Sequence, residues 1–406
     1  MSEITRPGGE DELAAVIAEA AAGNAPLEIE GAGTKRDIGR PLQTAARVST
    51  SKLSGITLYE PSELFISVLA GTPLKTVEAE LASNNQQLAF EPADLGPLLG
   101  GKAQQGTIGA VFATNLSGPR RVHAGAARDH FIGMRAVNGR GEAFKSGGRV
   151  MKNVTGYDLC RGLSGSWGTL AVMTEVTMKV LPKPEETRTL LIRGLTEDVA
   201  VEAMSAALSS PYEVSGALHL CGEFAGQMSE KDLTTRGRPV TLVRLENFSS
   251  FVEYRFEKLC GLLSAYGRIH ALDNKRSIAL WNEARSLKYL QAATGCLWRI
   301  VTPQRTAARI VAAIRKTLHC KAAFDWAGGL VWLEIPPAAD ASVIEVRKAV
   351  AEFGGHATLI RAEPSVRAAI DVFHPPAPGP AAITRKLKAV FDPHGILNPG
   401  RMYPGV

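Results

Sequence analysis

The sequence predicts an α+β fold in two parts joined near residue 184, and three observations carry that expectation. Residues 1–184 alternate short strands with loops unusually rich in glycine. Residues 185–373 run twice through a β-α-β-β-α-β series, a plan that pairs two related halves in one antiparallel sheet covered by helices. The 406 residues are 45% hydrophobic and 21% charged, an ordinary globular balance with core enough for two or three domains.

The elements follow in order. Asp11 to Ala22 is an alanine-rich helix, with acidic residues in its first turn and Gly23 as its stop. Leu27–Glu30 is a strand running into Gly31-Ala32-Gly33-Thr34-Lys35-Arg36-Asp37-Ile38-Gly39. Leu64–Ala70 is a second strand, followed by the turn Gly71-Thr72-Pro73 and a helix from Leu74 to Ser83. Residues 95–125 are rich in glycine and small side chains. Phe131–Val137 and Glu142–Lys145, joined by Asn138-Gly139-Arg140-Gly141, read as a hairpin. Gly147, Gly148, Gly156, Gly162, Gly165 and Gly168 then precede an apolar strand, Leu170 to Leu181.

Pro182-Lys183-Pro184-Glu185-Glu186 marks the boundary. Beyond it the first half has strands at 188–193, 212–220, 239–246 and 267–272, with helices at 197–209 and 249–265. A helix near 277–290 leads to the second half. That half has strands at 297–302, 322–326, 329–335 and 356–361, with helices at 304–318 and 340–353. The proline-rich residues 374–381 read as a stiff linker before a last helix, Ala382 to Phe391.

Composition narrows the function. The +6 charge, from 46 basic and 40 acidic residues, is a mild excess that fits ordinary solubility and tolerates small anionic substrates. No basic run with interleaved aromatics points to nucleic acid. Cys160, Cys221, Cys260, Cys296 and Cys320 are odd in number and widely spaced, which argues against a disulfide framework or an iron–sulfur cluster in this chain. Free thiols fit a reducing compartment. The first residues carry no apolar signal region, and no run approaches ~20 uninterrupted apolar residues. The expectation is a cytoplasmic protein that meets a membrane only through a complex.

Three loops carry the chemistry. Gly31-x-Gly33 follows a strand, as in a dinucleotide fingerprint, but Arg36 stands where a third glycine belongs and no helix pattern follows directly. Gly101-Lys102 is followed by Ala103, so there is no Walker-type phosphate loop. A glycine-rich turn still offers bare N–H groups in a concave nest that binds phosphate oxygens, with Lys35 and Arg36 available as charges; a plain turn is the alternative. The second loop, Gly106 to Gly118, would let backbone approach a flat ligand, with Thr107, Thr114, Asn115 and Ser117 as polar contacts. Small-residue helix packing explains it equally well. The third is the glycine run 147–168.

This order of loops resembles the FAD-binding domain of the vanillyl-alcohol oxidase/p-cresol methylhydroxylase (PCMH) family, over residues ~25–184 and Asn398-Pro399-Gly400-Arg401. More narrowly, Val150 to Leu159, Gly118-Pro119-Arg120-Arg121, Gly354-Gly355-His356-Ala357-Thr358 and Asn398 to Tyr403 resemble the E subunits of bacterial glycolate oxidases. The resemblance implies a PCMH-type FAD-binding domain over 1–184 and a cap domain of the FAD-linked oxidase C-terminal type over 185–373. A C-terminal segment, 374–406, would return to the FAD domain. It implies that Gly31, Ala32, Gly33, Thr34, Lys35 and Arg36 cradle the pyrophosphate. Thr107, Ile108, Gly109, Asn115 and Gly118 would line the cofactor, Gly168 and Val172 would border its adenine–ribose side, and Arg401 would lie near the flavin ring.

Two departures from the wider family matter. Thr34 and Lys35 occupy the stretch where many members carry a flavin-linking histidine, so FAD is expected to be noncovalent. The Gly-Asp-Gly-Asn-x-His type motif, whose histidine helps hold a metal and substrate in D-subunit relatives, is absent; no histidine pair has ligand spacing, and no metal site is expected. His356 and Arg401 are then the candidate catalytic residues, with packing as the alternative role for a lone histidine. The implied activity is oxidation of glycolate or D-lactate. The implied partners are a second FAD-containing glycolate oxidase subunit and an iron–sulfur subunit. A self-sufficient flavin oxidoreductase for another hydroxy acid or alcohol and a non-catalytic FAD-containing scaffold are the other readings.

Overall fold

A computed structural model describes residues 4–149, 156–234 and 237–406. The motif residues Val150 to Thr155 lie outside the described residues. The chain forms two compact units, one of Met1–Ser117, Ala126–Lys183 and Pro375–Val406, the other of Gly118–Gly125 and Pro184–His374. The short segment Gly118–Gly125 thus belongs to the second unit, although the expected boundary placed it in the first. Its anchor is local to that unit: the Gly118 carbonyl accepts the Trp326 indole N–H at 3.0 Å, and Arg120 grips Glu246.

In the first unit, β1 (Ile4–Thr5), β2 (Leu27–Glu30) and β3 (Ala46–Ser49) form a parallel sheet in the order β1-β3-β2. Strands β4 (Ile56–Glu60), β5 (Phe65–Leu69), β7 (Phe131–Asn138), β8 (Ala143–Gly147) and β9 (Ala171–Lys179) form an antiparallel sheet, β4-β5-β9-β7-β8. Short strands β6 (Gln86–Gln87) and β10 (Leu181–Pro182) pair separately. The apolar alternation of β5 and β9 buries Ile66, Val68, Val176 and Met178 against Leu81, Phe90 and Phe112. In the third glycine run Gly147 packs backbone against backbone: a Cβ on it would strike the Ile132 carbonyl at 2.2 Å, and one on Gly133 of β7 would strike the Gly148 carbonyl at 2.5 Å. The last helix begins at Pro378 rather than Ala382. Proline is tolerated there because first-turn N–H groups have no intrahelical acceptor.

The second unit holds one eight-stranded sheet. Its strands are β11 (Glu186–Arg193), β12 (Val214–Leu220), β13 (Val240–Asn247), β14 (Ile269–Leu272), β15 (Cys296–Val301), β16 (Lys321–Asp325), β17 (Leu330–Ile335) and β18 (His356–Arg361). The order β14-β11-β13-β12-β16-β17-β15-β18 is antiparallel throughout, and the two β-α-β-β-α-β halves meet at β12 and β16. Leu190, Ile192, Val243 and Leu245 point to one face, where they pack with Ala200, Ala203 and Ala207 of helix Glu197–Leu208 and with Val252, Leu259 and Leu263 of helix Ser249–Leu263. The period of two sends Thr189, Arg244 and Glu246 to the opposite face. Thr189 and Arg244 are buried and the Glu246 side chain is only 8% exposed, so all three must be paired. Thr189 accepts the Trp281 indole N–H at 3.0 Å, and Arg244 stacks 4.5 Å from that ring. Glu246 takes a bidentate fork from Arg120 at 2.9 and 2.7 Å and a second cation from Arg244 at 3.2 Å.

Candidate cofactor site

The first unit contains a cavity built where the carboxyl end of β2 meets the helix Ile108–Thr114 and the turn Trp167–Gly168. Gly31, Ala32, Gly33, Thr34, Lys35 and Arg36 form one wall, Gly109, Ala110, Ala113 and Thr114 a second, and Trp167, Gly168, Val172 and Arg401 a third. Small residues are required by contact. A Cβ on Gly31 would sit 2.2 Å from Thr107 Oγ1, and one on Gly109 would sit 2.7 Å from Ala70 Cβ. Gly33 and Gly168 hold φ of +75° and +73°, the left-handed region in which a side chain is strained.

The charges divide into two kinds. The Arg36 guanidinium folds back on buried Glu28, at 2.7 and 2.8 Å, and that hydrogen bonding raises its pKa. Arg36 therefore fixes the loop, and its charge is already compensated. Lys35 is different. It is buried, it lies toward Gly106 in the second loop, and burial lowers its pKa to about 8, with Asp94 opposing the shift. The Asp94 oxygens accept the Gly96 and Gln104 N–H groups instead of contacting the ammonium. Thr107 Oγ1, on the Gly31 side, is buried without a hydrogen-bond partner. A buried cation and an orphan hydroxyl beside glycine backbone are what a phosphate-bearing ligand satisfies.

The C-terminal segment braces this wall. Asn398 is buried at φ +43°; its amide donates to the Trp167 carbonyl at 2.8 Å, and its Oδ1 accepts the Ile29 N–H at 2.8 Å. Arg401 donates to the Lys35 carbonyl at 2.9 Å and lies 5.8 Å from the Trp167 ring centroid. Arg401 is thus beside the loop expected to hold pyrophosphate. Lys388 donates to the Thr169 and Leu397 carbonyls at 2.7 and 2.9 Å.

The structure brings together Gly31, Ala32, Gly33, Thr34, Lys35, Arg36, Gly109, Gly168, Val172 and Arg401. It does not bring in four others as lining residues. Ile108 is wholly buried in the core, its N–H on the Thr72 carbonyl at 3.0 Å. Asn115 ends the helix in the left-handed conformation and accepts the Arg128 N–H. Gly118 belongs to the second unit, where its carbonyl holds Trp326. Thr107 stands behind Gly31 and meets the site through the orphan hydroxyl. His356, in the second unit, is exposed on β18 with its ring 5.2 Å from that of His374. Among the described residues no three metal-binding side chains converge, and no helix is long and apolar enough to cross a membrane.

Trp167, Ala110, Ala113 and Asn398 were not expected at the site. Small residues at 109, 110, 113 and 114 recur at helical spacing and mark one face of a single turn-and-a-half, a signal legible in the sequence.

Comparison with known proteins names the family and the class of cofactor. The family described as FAD binding domain matches residues 2–147. The glycolate oxidase subunit GlcE of Escherichia coli (strain K12) is 31% identical over 95% of both chains. The chain belongs to the glycolate oxidase E-subunit family. It is an FAD-linked oxidoreductase. The glycolate oxidase subunit GlcD of Bacillus subtilis (strain 168) is 26% identical over 98% of this chain and 88% of its own. A structure of p-cresol methylhydroxylase with substrate bound shares the fold, with a TM-score of 0.68 at 12% identity over 98% of this chain and 88% of that one.

Among the described residues no histidine, cysteine or tyrosine lines the cavity, so these walls offer no side chain of the usual flavin-tethering types. Acid precipitation of the yellow protein is expected to leave all flavin in the supernatant, read by its absorbance. Colour retained in the washed pellet would show a covalent bond.

Proposed function

We propose that the chain is the FAD-carrying E subunit of a complex that oxidises glycolate, and D-lactate as a related 2-hydroxy acid, to the 2-oxo acid. A second FAD-containing subunit and an iron–sulfur subunit complete the complex and carry electrons onward. The observation that carries the reading is the buried Lys35, set in glycine-walled space beside the orphan Thr107 hydroxyl, in a chain alike from end to end to a glycolate oxidase subunit.

FAD, when bound, accepts a hydride equivalent and releases it as single electrons, which suits a link between a hydroxy acid and an iron–sulfur partner. This chain's residues supply its bed. The backbone of Gly31 to Gly33 offers N–H groups in a concave turn, and Lys35 sets a desolvated positive charge beside them. Arg36, locked on Glu28, holds the turn in shape, while Asn398 ties β2 to the Trp167–Gly168 turn. Gly109 lets helix Ile108–Thr114 approach β5 and present Ala110 and Ala113. The sequence lacks the histidine motif of the D-subunit relatives, which supports placing substrate oxidation in the assembled complex.

Anaerobic mixing with glycolate tests this. The complex is expected to lose flavin absorbance near 450 nm at the catalytic rate, and the isolated chain is expected to keep its own. Rapid bleaching of the isolated chain would replace the proposal with a self-sufficient enzyme. A complex that leaves glycolate and D-lactate untouched would end it.

A further inference from the structure

The helix Pro378–Phe391 is amphipathic in reverse. Its one buried residue is a cation: Lys388 donates to the Thr169 and Leu397 carbonyls at 2.7 and 2.9 Å and pairs with buried Asp392 at 2.8 Å. Its aliphatic side chains face solvent. Ile383 and Val390 are each 61% exposed, and Leu387 is 39% exposed. At about 100° per residue, this i, i+4, i+7 spacing puts all three within about 60° of one another, on a stripe about 10 Å long. Single exposed aliphatics are ordinary, but three on one stripe mark an interaction surface. The stripe is held rigid from behind. The Phe391 ring lies 5.8 Å from that of Phe144, and the Phe391 carbonyl accepts the Gly139 N–H at 2.8 Å. The Asp392 carboxylate accepts the Ile396 and Leu397 N–H groups at 3.1 and 2.8 Å. Through Thr169 the helix is fastened next to Gly168 of the cofactor wall.

Charge decides what kind of partner fits. Lys386 borders the stripe, three residues from Ile383 and four from Val390, and Arg385 lies further round the helix. Both are exposed, and neither has a hydrogen bond or ion pair among the described residues. The helix contains no acidic residue. A second copy laid on the stripe about a two-fold axis would bring the two Lys386 ammonium groups together with no carboxylate of the helix between them. A helix lying in a membrane interface buries a broad apolar face and turns its charged face to water. Here the opposite face is packed into the protein and the apolar stripe is narrow. A rigid helix with anchors at i, i+4 and i+7 is instead the form that enters a groove on another protein.

We propose that Ile383, Leu387 and Val390 are the docking stripe for a partner protein that offers an apolar groove with carboxylates along its rim, one of which pairs with Lys386. The three aliphatic side chains fill the groove, and the lysine fixes the register of the helix within it. That the partner is a subunit of the hydroxy-acid-oxidising complex rests on the function proposed above; the docking itself rests on the reversed helix.

The test is binding of the FAD-loaded full chain to the other two subunits, co-purified and immobilised, with oxidation of glycolate and D-lactate by the assembled complex measured alongside. The double variant Ile383→Ser, Val390→Ser is expected to bind at least about tenfold more weakly. Lys386→Glu is expected to weaken binding several-fold at low salt and less at high salt, whereas Lys386→Arg retains it. Ile344→Ser, at a 69% exposed isoleucine of the second unit, is expected to leave binding unaltered. Flavin content and circular dichroism are expected to be unchanged in every variant. Full binding by the double variant would overturn the stripe. So would a dimer of the chain alone, seen by light scattering and lost in the double variant, or attachment to phosphatidylglycerol vesicles lost in the same way. A complex that oxidises either acid while assembling independently of the stripe would remove the stripe and leave the function standing. Stripe-dependent assembly of a complex that oxidises neither acid would uphold the stripe and sink the function. Failure of the unaltered chain to bind the two subunits would end both.

Discussion

Lys35→Met is expected to yield a protein that is more stable without FAD and poorer at holding it. Among the described residues the buried ammonium has no carboxylate within ion-pair distance, and burial brings its pKa from 10.5 to about 8. The unfolded chain therefore keeps its proton at pH values where the native chain has lost it. Native stability rises with pH between about 8 and 10.5, and the full penalty stands below 8. It amounts to about 3 kcal/mol. The methionine variant is expected to recover that amount at pH 7 in urea unfolding of the FAD-free protein, and to lose the rise above pH 8. Loss of a charge-assisted contact of ~1.5–3 kcal/mol weakens FAD by roughly 10–100-fold, read by fluorescence titration. A variant that binds FAD normally would remove Lys35 from the cofactor bed.

Glu246→Gln acts in the second unit, in the opposite direction. Burial alone would raise the pKa of this carboxyl, but Arg244 and Arg120 together bring it down to about 2. Because the native pKa is depressed below its ordinary 4.5, the stabilisation is complete above pH 4.5 and drains away as the pH falls through 2. Neutralising the side chain strands Arg244, only 1% exposed, beside Arg120. The expected loss is about 3–5 kcal/mol at pH 7, with a flatter acid limb in the pH–stability profile. Glu352→Gln on the exposed face of helix Val343–Phe353 is expected to change stability by less than about 0.5 kcal/mol. Equal behaviour of the two variants would show that the carboxylate does not organise the arginines.

Patterns confined to neighbouring residues were legible. The strand Leu27–Glu30 and its glycine loop were visible because apolar alternation stops abruptly at Gly31. The doubled β-α-β-β-α-β order was visible because each helix and strand carries its own period. What depends on distant partners was not. Strand β3 is held by parallel pairing to β1 and β2, a relation no local pattern encodes. In the second loop, the family resemblance singled out Ile108 and Asn115, whereas helical geometry turns Ala110 and Ala113 to the cavity and sends Ile108 to the core. Arg36 looked like a ligand charge because nothing nearby in sequence reveals that Glu28 is folded against it.

Asn398 joins β2 to the Trp167–Gly168 turn, and Leu397 bridges to Leu27. Translation delivers Leu27 early and Asn398 some 370 residues afterwards. Closure of the bed therefore waits on a contact of high sequence separation, whose loop-closure entropy must be met before the wall is sealed.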